Sequence, residues 1–114
     1  MSPISTHVID VAQGRPAAGV DVALDVATPE GAWRTIGQGA TDADGRVKTL
    51  LTDGAALSPG EHRLTFFVAG YFERQGTTAF YRSIAVTFVV ASGQSHYHVP
   101  LLLSPFGYST YRGA

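Results

Sequence analysis

Apolar residues recur at every second position in several short runs of this chain. Val20, Val22, Leu24 and Val26 alternate with Asp21, Ala23, Asp25 and Ala27, the period of a strand with one face turned to a core. Leu64, Phe66 and Val68 repeat the pattern after Ser58-Pro59-Gly60. Ile84, Val86, Phe88 and Val90 repeat it again before Ser92-Gly93. Residues 32–38 follow the Pro29-Glu30-Gly31 turn and suit a hairpin partner for the first stripe. With residues 4–11, 97–104 and 107–112, the spacing predicts about seven or eight short strands in an all-β, two-sheet antiparallel sandwich. The pattern lapses only between Tyr71 and Tyr81, where one short helix of one or two turns fits and Gly76 limits it.

A chain of 114 residues can bury roughly two-thirds of its unfolded surface within one domain. It contains no cysteine, which removes disulfide scaffolds, thiolate zinc sites and cysteine nucleophiles. Eight Lys and Arg stand against nine Asp and Glu, so there is no basic field for nucleic acid. The start, Met1-Ser2-Pro3-Ile4, lacks a basic region followed by an apolar run. Apolar stretches such as Ile84 to Ala91 are too short to span a bilayer. A cytoplasmic protein is expected.

A sandwich hosts carriers, adhesins and enzymes alike, so function has to come from a site. His96 and His98 stand two apart on a strand, hence on one face with Cα atoms about 6.5–7 Å apart. That spacing permits a shared metal, or simply two polar residues at a strand start; no third ligand lies nearby in sequence. His62, after Pro59-Gly60-Glu61, reads as an exposed surface residue. His7 lies on the face opposite Thr6 and Val8 and by itself suits a core or surface role as well as a catalytic one. Asp42-Ala43-Asp44-Gly45 faintly resembles a calcium loop. The spacing fails, with Val47 at the sixth position and Asp53 at the twelfth, and a turn is the better reading. Arg46, where this turn meets a strand, could hold a planar, oxygen-rich ligand bidentately or stand as a solvated surface arginine.

The C-terminal stretch is unusually apolar for a chain end. Leu101-Leu102-Leu103 presents apolar side chains to both faces, and Phe106, Tyr108 and Tyr111 follow. Continuous apolarity implies cover on both sides, for which a subunit interface is the favoured explanation. Pro100 cannot donate a ladder hydrogen bond, which suits an edge strand or a bulge.

Several blocks resemble the 5-hydroxyisourate hydrolase branch of the transthyretin-like family. They are Ser5-Thr6-His7-Val8-Ile9-Asp10, Gly14-Arg15-Pro16-Ala17-Ala18-Gly19-Val20, Asp44-Gly45-Arg46-Val47 and His96-Tyr97-His98-Val99-Pro100-Leu101-Leu102-Leu103-Ser104-Pro105. Gly107-Tyr108-Ser109-Thr110-Tyr111-Arg112-Gly113 is similar to the family's closing signature. The blocks keep the family's order from residue 5 almost to the end. The resemblance implies a single transthyretin-like domain over residues 1–114, a prealbumin-like sandwich of about eight strands. It also implies a homotetramer built as a dimer of dimers, with active sites in clefts at the dimer–dimer interface and no cofactor or metal.

By that resemblance the substrate is 5-hydroxyisourate, a small, flat, oxygen-rich purine derivative. His7, Arg46 and His98 are its functional groups, and Tyr111, Arg112 and Gly113 close the cleft. His96 gains no role from it. Hormone-carrying transthyretins share the fold without this combination, although a tetrameric, non-catalytic carrier of a small aromatic ligand stays as the alternative. Two positions depart from the family pattern: Ala114 stands in place of the usual terminal serine, and Phe80-Tyr81-Arg82 replaces an aromatic pair followed by proline.

Overall fold

The alternating stripes become the inner faces of two sheets in the computed structural model, which describes residues 2–51, 55–93 and 96–113. Ala114 and Asp53, both named above, lie outside the described residues. The strands are β1 (Ile4–Asp10), β2 (Arg15–Pro16), β3 (Asp21–Ala27), β4 (Trp33–Ala40), β5 (Arg46–Val47), β6 (Gly60–Phe67), β7 (Ile84–Val90), β8 (Tyr97–Ser104) and β9 (Gly107–Thr110). One sheet has the order β4-β3-β6-β7. The other runs β2-β1-β8-β9, with β5 also paired to β1.

All pairs are antiparallel except one: β1 and β8 run parallel, from Ile4 opposite Tyr97 to Asp10 opposite Leu103. The antiparallel expectation fails there because these strands come from opposite ends of the chain, so no hairpin fixes their direction. This pairing brings Ser5 opposite His98 and His7 opposite Pro100.

Leu24, Leu64, Phe66 and Ile84 from one sheet meet Ile4, Val8, Leu101 and Leu103 from the other, all within 2% of full burial. Each such side chain contributes about 1.5–3 kcal/mol by leaving water. Between β6 and β7 a short helix, α1 (Ala69–Arg74), tucks Tyr71 and Phe72 into the core. It starts two residues before the expected stretch, and Gly76 in a left-handed conformation (φ 66°) turns the chain just beyond it. The Tyr71 hydroxyl donates to buried Asp10 Oδ2 at 2.7 Å, and Asp10 Oδ1 accepts from the Gln13 amide at 2.9 Å. Burial, reinforced by the Asp10 carboxylate, pushes the Tyr71 phenol up from its ordinary value.

Two expectations are corrected. His62 is wholly buried, because it shares the parity of Leu64 and Phe66 and therefore points inward; the preceding Pro59-Gly60 marks only where the strand begins. Pro100 sits in β8, an interior strand rather than an edge. Its missing N–H instead breaks the ladder to the chain end: β8 and β9 pair from Ser104 opposite Gly107 to Leu101 opposite Thr110. The next position of that register, Pro100 opposite Tyr111, has no donor. The Thr110 hydroxyl donates to the Pro100 carbonyl instead, at 2.6 Å. Pairing returns at a single bridge between His98 and Gly113.

Leu101 and Leu103 fill the core while Leu102 is only half-buried on the outer face. A single chain thus covers one side of β8.

Candidate active site

The outer face of the β1/β8 sheet gathers most of the polar candidates. Its floor is a tight turn. Asp42 Oδ1 accepts from the Asp44 amide at 2.9 Å and the Arg46 amide at 3.0 Å, and the Gly45 amide donates to the Asp42 carbonyl at 2.9 Å. The Arg46 amide first, then that of Asp44 and the nearby cations, outweigh desolvation and lower the Asp42 pKa from its usual value. This aspartate therefore organises the turn. Gly45 has a φ of 77°, and a Cβ there would lie 2.4 Å from the Val8 carbonyl oxygen; only glycine lets the turn press against β1. The turn feeds β5, whose Arg46 lies directly opposite His7. The His7 ring Nε2 donates to the Asp44 carbonyl at 2.9 Å, which ties turn and histidine together.

His98 stands beside them. Its Nδ1 is 2.9 Å from Ser5 Oγ. Burial first, then the charges of Arg46, His7 and His96, hold its imidazole below the ordinary histidine pKa, partly offset by a hydrogen bond with the Ser5 backbone. A half-buried, neutral imidazole next to a cation is suited to accept a proton at neutral pH. Against the ring lies Gly113: its amide donates to the His98 carbonyl at 2.7 Å. A Cβ on Gly113 would approach His98 Cδ2 to 2.6 Å.

His96 is the residue that sequence reasoning set aside. Its Nδ1 lies 2.9 Å from the Ser2 carbonyl and its Nε2 3.3 Å from Ser5 Oγ, so both ring nitrogens are engaged. Among the described residues no group of three His, Cys, Asp or Glu is arranged to hold a metal ion. Beside the histidines a shallow cleft of about 380 Å³ is lined by Ser2, Ser5, Thr6, Arg46, Val47, Lys48, Thr49 and His96. Lys48 adds a second cation and was not singled out from the sequence.

The three tail residues are not brought together. Gly113 reaches His98, but the Arg112 guanidinium stacks 4.6 Å from the centre of the Tyr97 ring. Tyr111 and Arg112 line a separate crevice of about 240 Å³ with Val86, Phe88, Val89, Tyr97, Val99 and Thr110. Strand parity accounts for Arg112, since the register that sets Gly113 opposite His98 sets Arg112 opposite Val99, on the inward side.

Comparison with known proteins gives a consistent picture. Residues 4–113 match the model of the HIUase/Transthyretin family. A relative from Mesorhizobium japonicum named 5-hydroxyisourate hydrolase is 46% identical over 97% of this chain and 91% of its own. Among solved structures, sea bream transthyretin in complex with thyroxine superposes with a TM-score of 0.92 at 33% identity, covering 99% of this chain and 96% of that one. Klebsiella pneumoniae 5-hydroxyisourate hydrolase superposes with a TM-score of 0.82 at 36% identity, covering 99% and 100%.

Proposed function

The chain belongs to the HIUase/Transthyretin family, and from that premise we propose that it hydrolyses 5-hydroxyisourate to 2-oxo-4-hydroxy-4-carboxy-5-ureidoimidazoline, a step of urate degradation. The observation that carries this reading is the imidazole of His98, bonded to Ser5 at 2.9 Å and held neutral within the field of Arg46 and His7.

In the mechanism, water attacks a ring carbonyl of the bound substrate. A new C–O bond forms, the ring C–N bond breaks, and the leaving nitrogen takes up a proton. His7 and His98 together position the water and remove its proton. Arg46 binds substrate oxygens and stabilises the charge that builds on the attacked carbonyl. No cofactor takes part. Tyr111, Arg112 and Gly113 are the substrate-binding residues of this reading, with Arg112 as a clamp. For Gly113 the support is its contact with His98; for Tyr111 and Arg112 it is the family pattern of the tail.

The active form is a homotetramer, a dimer of dimers. Its support is the apolar material left on the surface: half-buried Ile9 and Leu102 on the outer face, and exposed Phe106, Tyr108 and Tyr111 at the end of the chain. Residues 1–114 act as one domain, in the cytoplasm.

A second reading, a non-catalytic tetrameric carrier of a small aromatic ligand, draws on the superposition with thyroxine-bound sea bream transthyretin. Backbone likeness does not separate the two, because one sandwich serves both uses. The sequence does, being 46% identical to a relative named as the hydrolase against 33% to that carrier. Purified protein is to be mixed with freshly generated 5-hydroxyisourate, followed by ultraviolet absorbance, and separately titrated with thyroxine. The hydrolase reading expects catalytic loss of substrate well above spontaneous decay. Stoichiometric thyroxine binding with no acceleration would replace it with the carrier reading.

A further inference from the structure

Ser2, Ser5, His96 and His98 form a continuous chain of hydrogen bonds whose direction is fixed at one end. The Ser2 carbonyl can only accept, so the His96 Nδ1 at 2.9 Å carries a proton. In neutral His96 the other nitrogen, Nε2, then has only a lone pair. The Ser5 hydroxyl, 3.3 Å away, donates to it. That leaves Ser5 Oγ as acceptor toward His98, 2.9 Å from Nδ1, so the His98 proton sits on Nδ1 and its Nε2 is bare. Among the described residues no hydrogen bond occupies that Nε2.

We infer that Ser5 and His96 are positioning residues, a two-member relay that fixes the His98 tautomer so that Nε2 serves as the base toward the attacking water. The inference rests on the hydrolase reading and deepens it, since it selects His98 over His7 for proton removal. His7 is tied differently: its Nε2 donates to the Asp44 carbonyl, which fits a histidine that orients. Reversing the relay explains why its polarity matters. A protonated His96 would donate to Ser5 through Nε2, Ser5 would donate to His98 Nδ1, and the outward nitrogen of His98 would carry the proton and lose its capacity as a base. The groups facing His98 are His7 from β1, Arg46 from β5 and His96, the residue just before β8; Lys48 lines the adjoining cleft.

The test reads the tautomer directly. Nitrogen-15 spectra of the histidine rings at about pH 8, where imidazoles are neutral, report which nitrogen of His98 bears the proton, with no substrate present. The unsubstituted protein is expected to show the proton on Nδ1. Ser5→Ala and His96→Phe should each populate the Nε2-protonated form and lower kcat about tenfold, the effect of losing one orienting hydrogen bond, with KM unchanged. Ser5→Thr, which keeps a hydroxyl, should restore both readouts. A proton on Nε2 of His98 in the unsubstituted protein overturns the relay. So does a Ser5→Ala variant with tautomer and kcat both unaltered. If the unsubstituted protein fails to turn over hydroxyisourate, the hydrolase reading falls and the catalytic use of the relay with it. The spectra still decide separately whether the relay exists.

Discussion

His62 and His98 are the same residue near the starts of two strands, one in each sheet, and they have opposite fates. His62 lies on the inward parity of β6, fully buried, with its ring 6.0 Å from that of Phe88. Its Nδ1 reaches the Gly60 carbonyl at 3.2 Å, and its Nε2 has no partner among the described residues. His98 lies on the outward parity of β8, bonded to Ser5 and surrounded by Arg46, His7 and His96. Strand alternation makes one a packing residue with an unpaired polar atom. It leaves the other half-buried and within reach of solvent, as the proposed base has to be. The difference teaches that a histidine's chemistry here is set by which face of its sheet it occupies and by which strand runs beside it.

Substitutions should separate the two roles. The largest effect falls on His98: replacement by alanine should slow turnover roughly 10²–10⁴-fold. Its half-exposed site should keep the change in unfolding free energy within about 1 kcal/mol, as read by denaturant titration. His62→Ala should do the reverse, costing about 2–4 kcal/mol through the cavity it leaves, while kcat per folded molecule stays unchanged. Thermal unfolding should register each of those kcal/mol as roughly 4 °C. His62→Leu, which fills most of the space and removes the unpaired nitrogen, should be neutral or slightly stabilising.

Gly113→Ala comes next. Its Cβ would lie 2.6 Å from Cδ2 and 3.3 Å from Cγ of His98, so ring or tail must move. A fall in kcat of about tenfold is expected from misplacing the base, with unfolding little altered.

The smallest effect is in pH. Because the folded-state pKa of His98 is lowered, its neutral form is favoured in the native state. The acid limb of kcat/KM should therefore fall below the ordinary histidine value of about 6.5. The same group lends stability that is present above the unfolded value and lost as pH falls from there through the folded pKa. His98→Ala should remove that contribution. A limb centred above the ordinary histidine value would place the base elsewhere.

Much of the sandwich is legible in the sequence, because period-two alternation marks β3, β6 and β7. β2 has only two residues, too few to carry a period, and β5 is visible only as a turn leading into a strand. The alternation also held the answer for His62, two and four residues before Leu64 and Phe66, but the Pro-Gly start drew it toward the surface. His7, Arg46 and His98 are visible through family resemblance, and the structure sets them on one face. The relay is not visible in this way. Ser5 and His96 are 91 residues apart, and only the parallel pairing of β1 with β8 brings them within reach. The missing donor of Pro100 is legible in the sequence but its place is not: it interrupts the tail's ladder in an interior strand instead of marking an edge. The inward place of Arg112 follows from strand parity, which applies only once the register of β8 with the tail is known.

The most direct test follows 5-hydroxyisourate loss by ultraviolet absorbance for the unsubstituted protein, His62→Leu and His98→Ala at equal folded concentration. The account predicts that the first two accelerate decay and agree within about twofold, while His98→Ala falls close to the spontaneous rate. Equal rates for His98→Ala and the unsubstituted protein would contradict it.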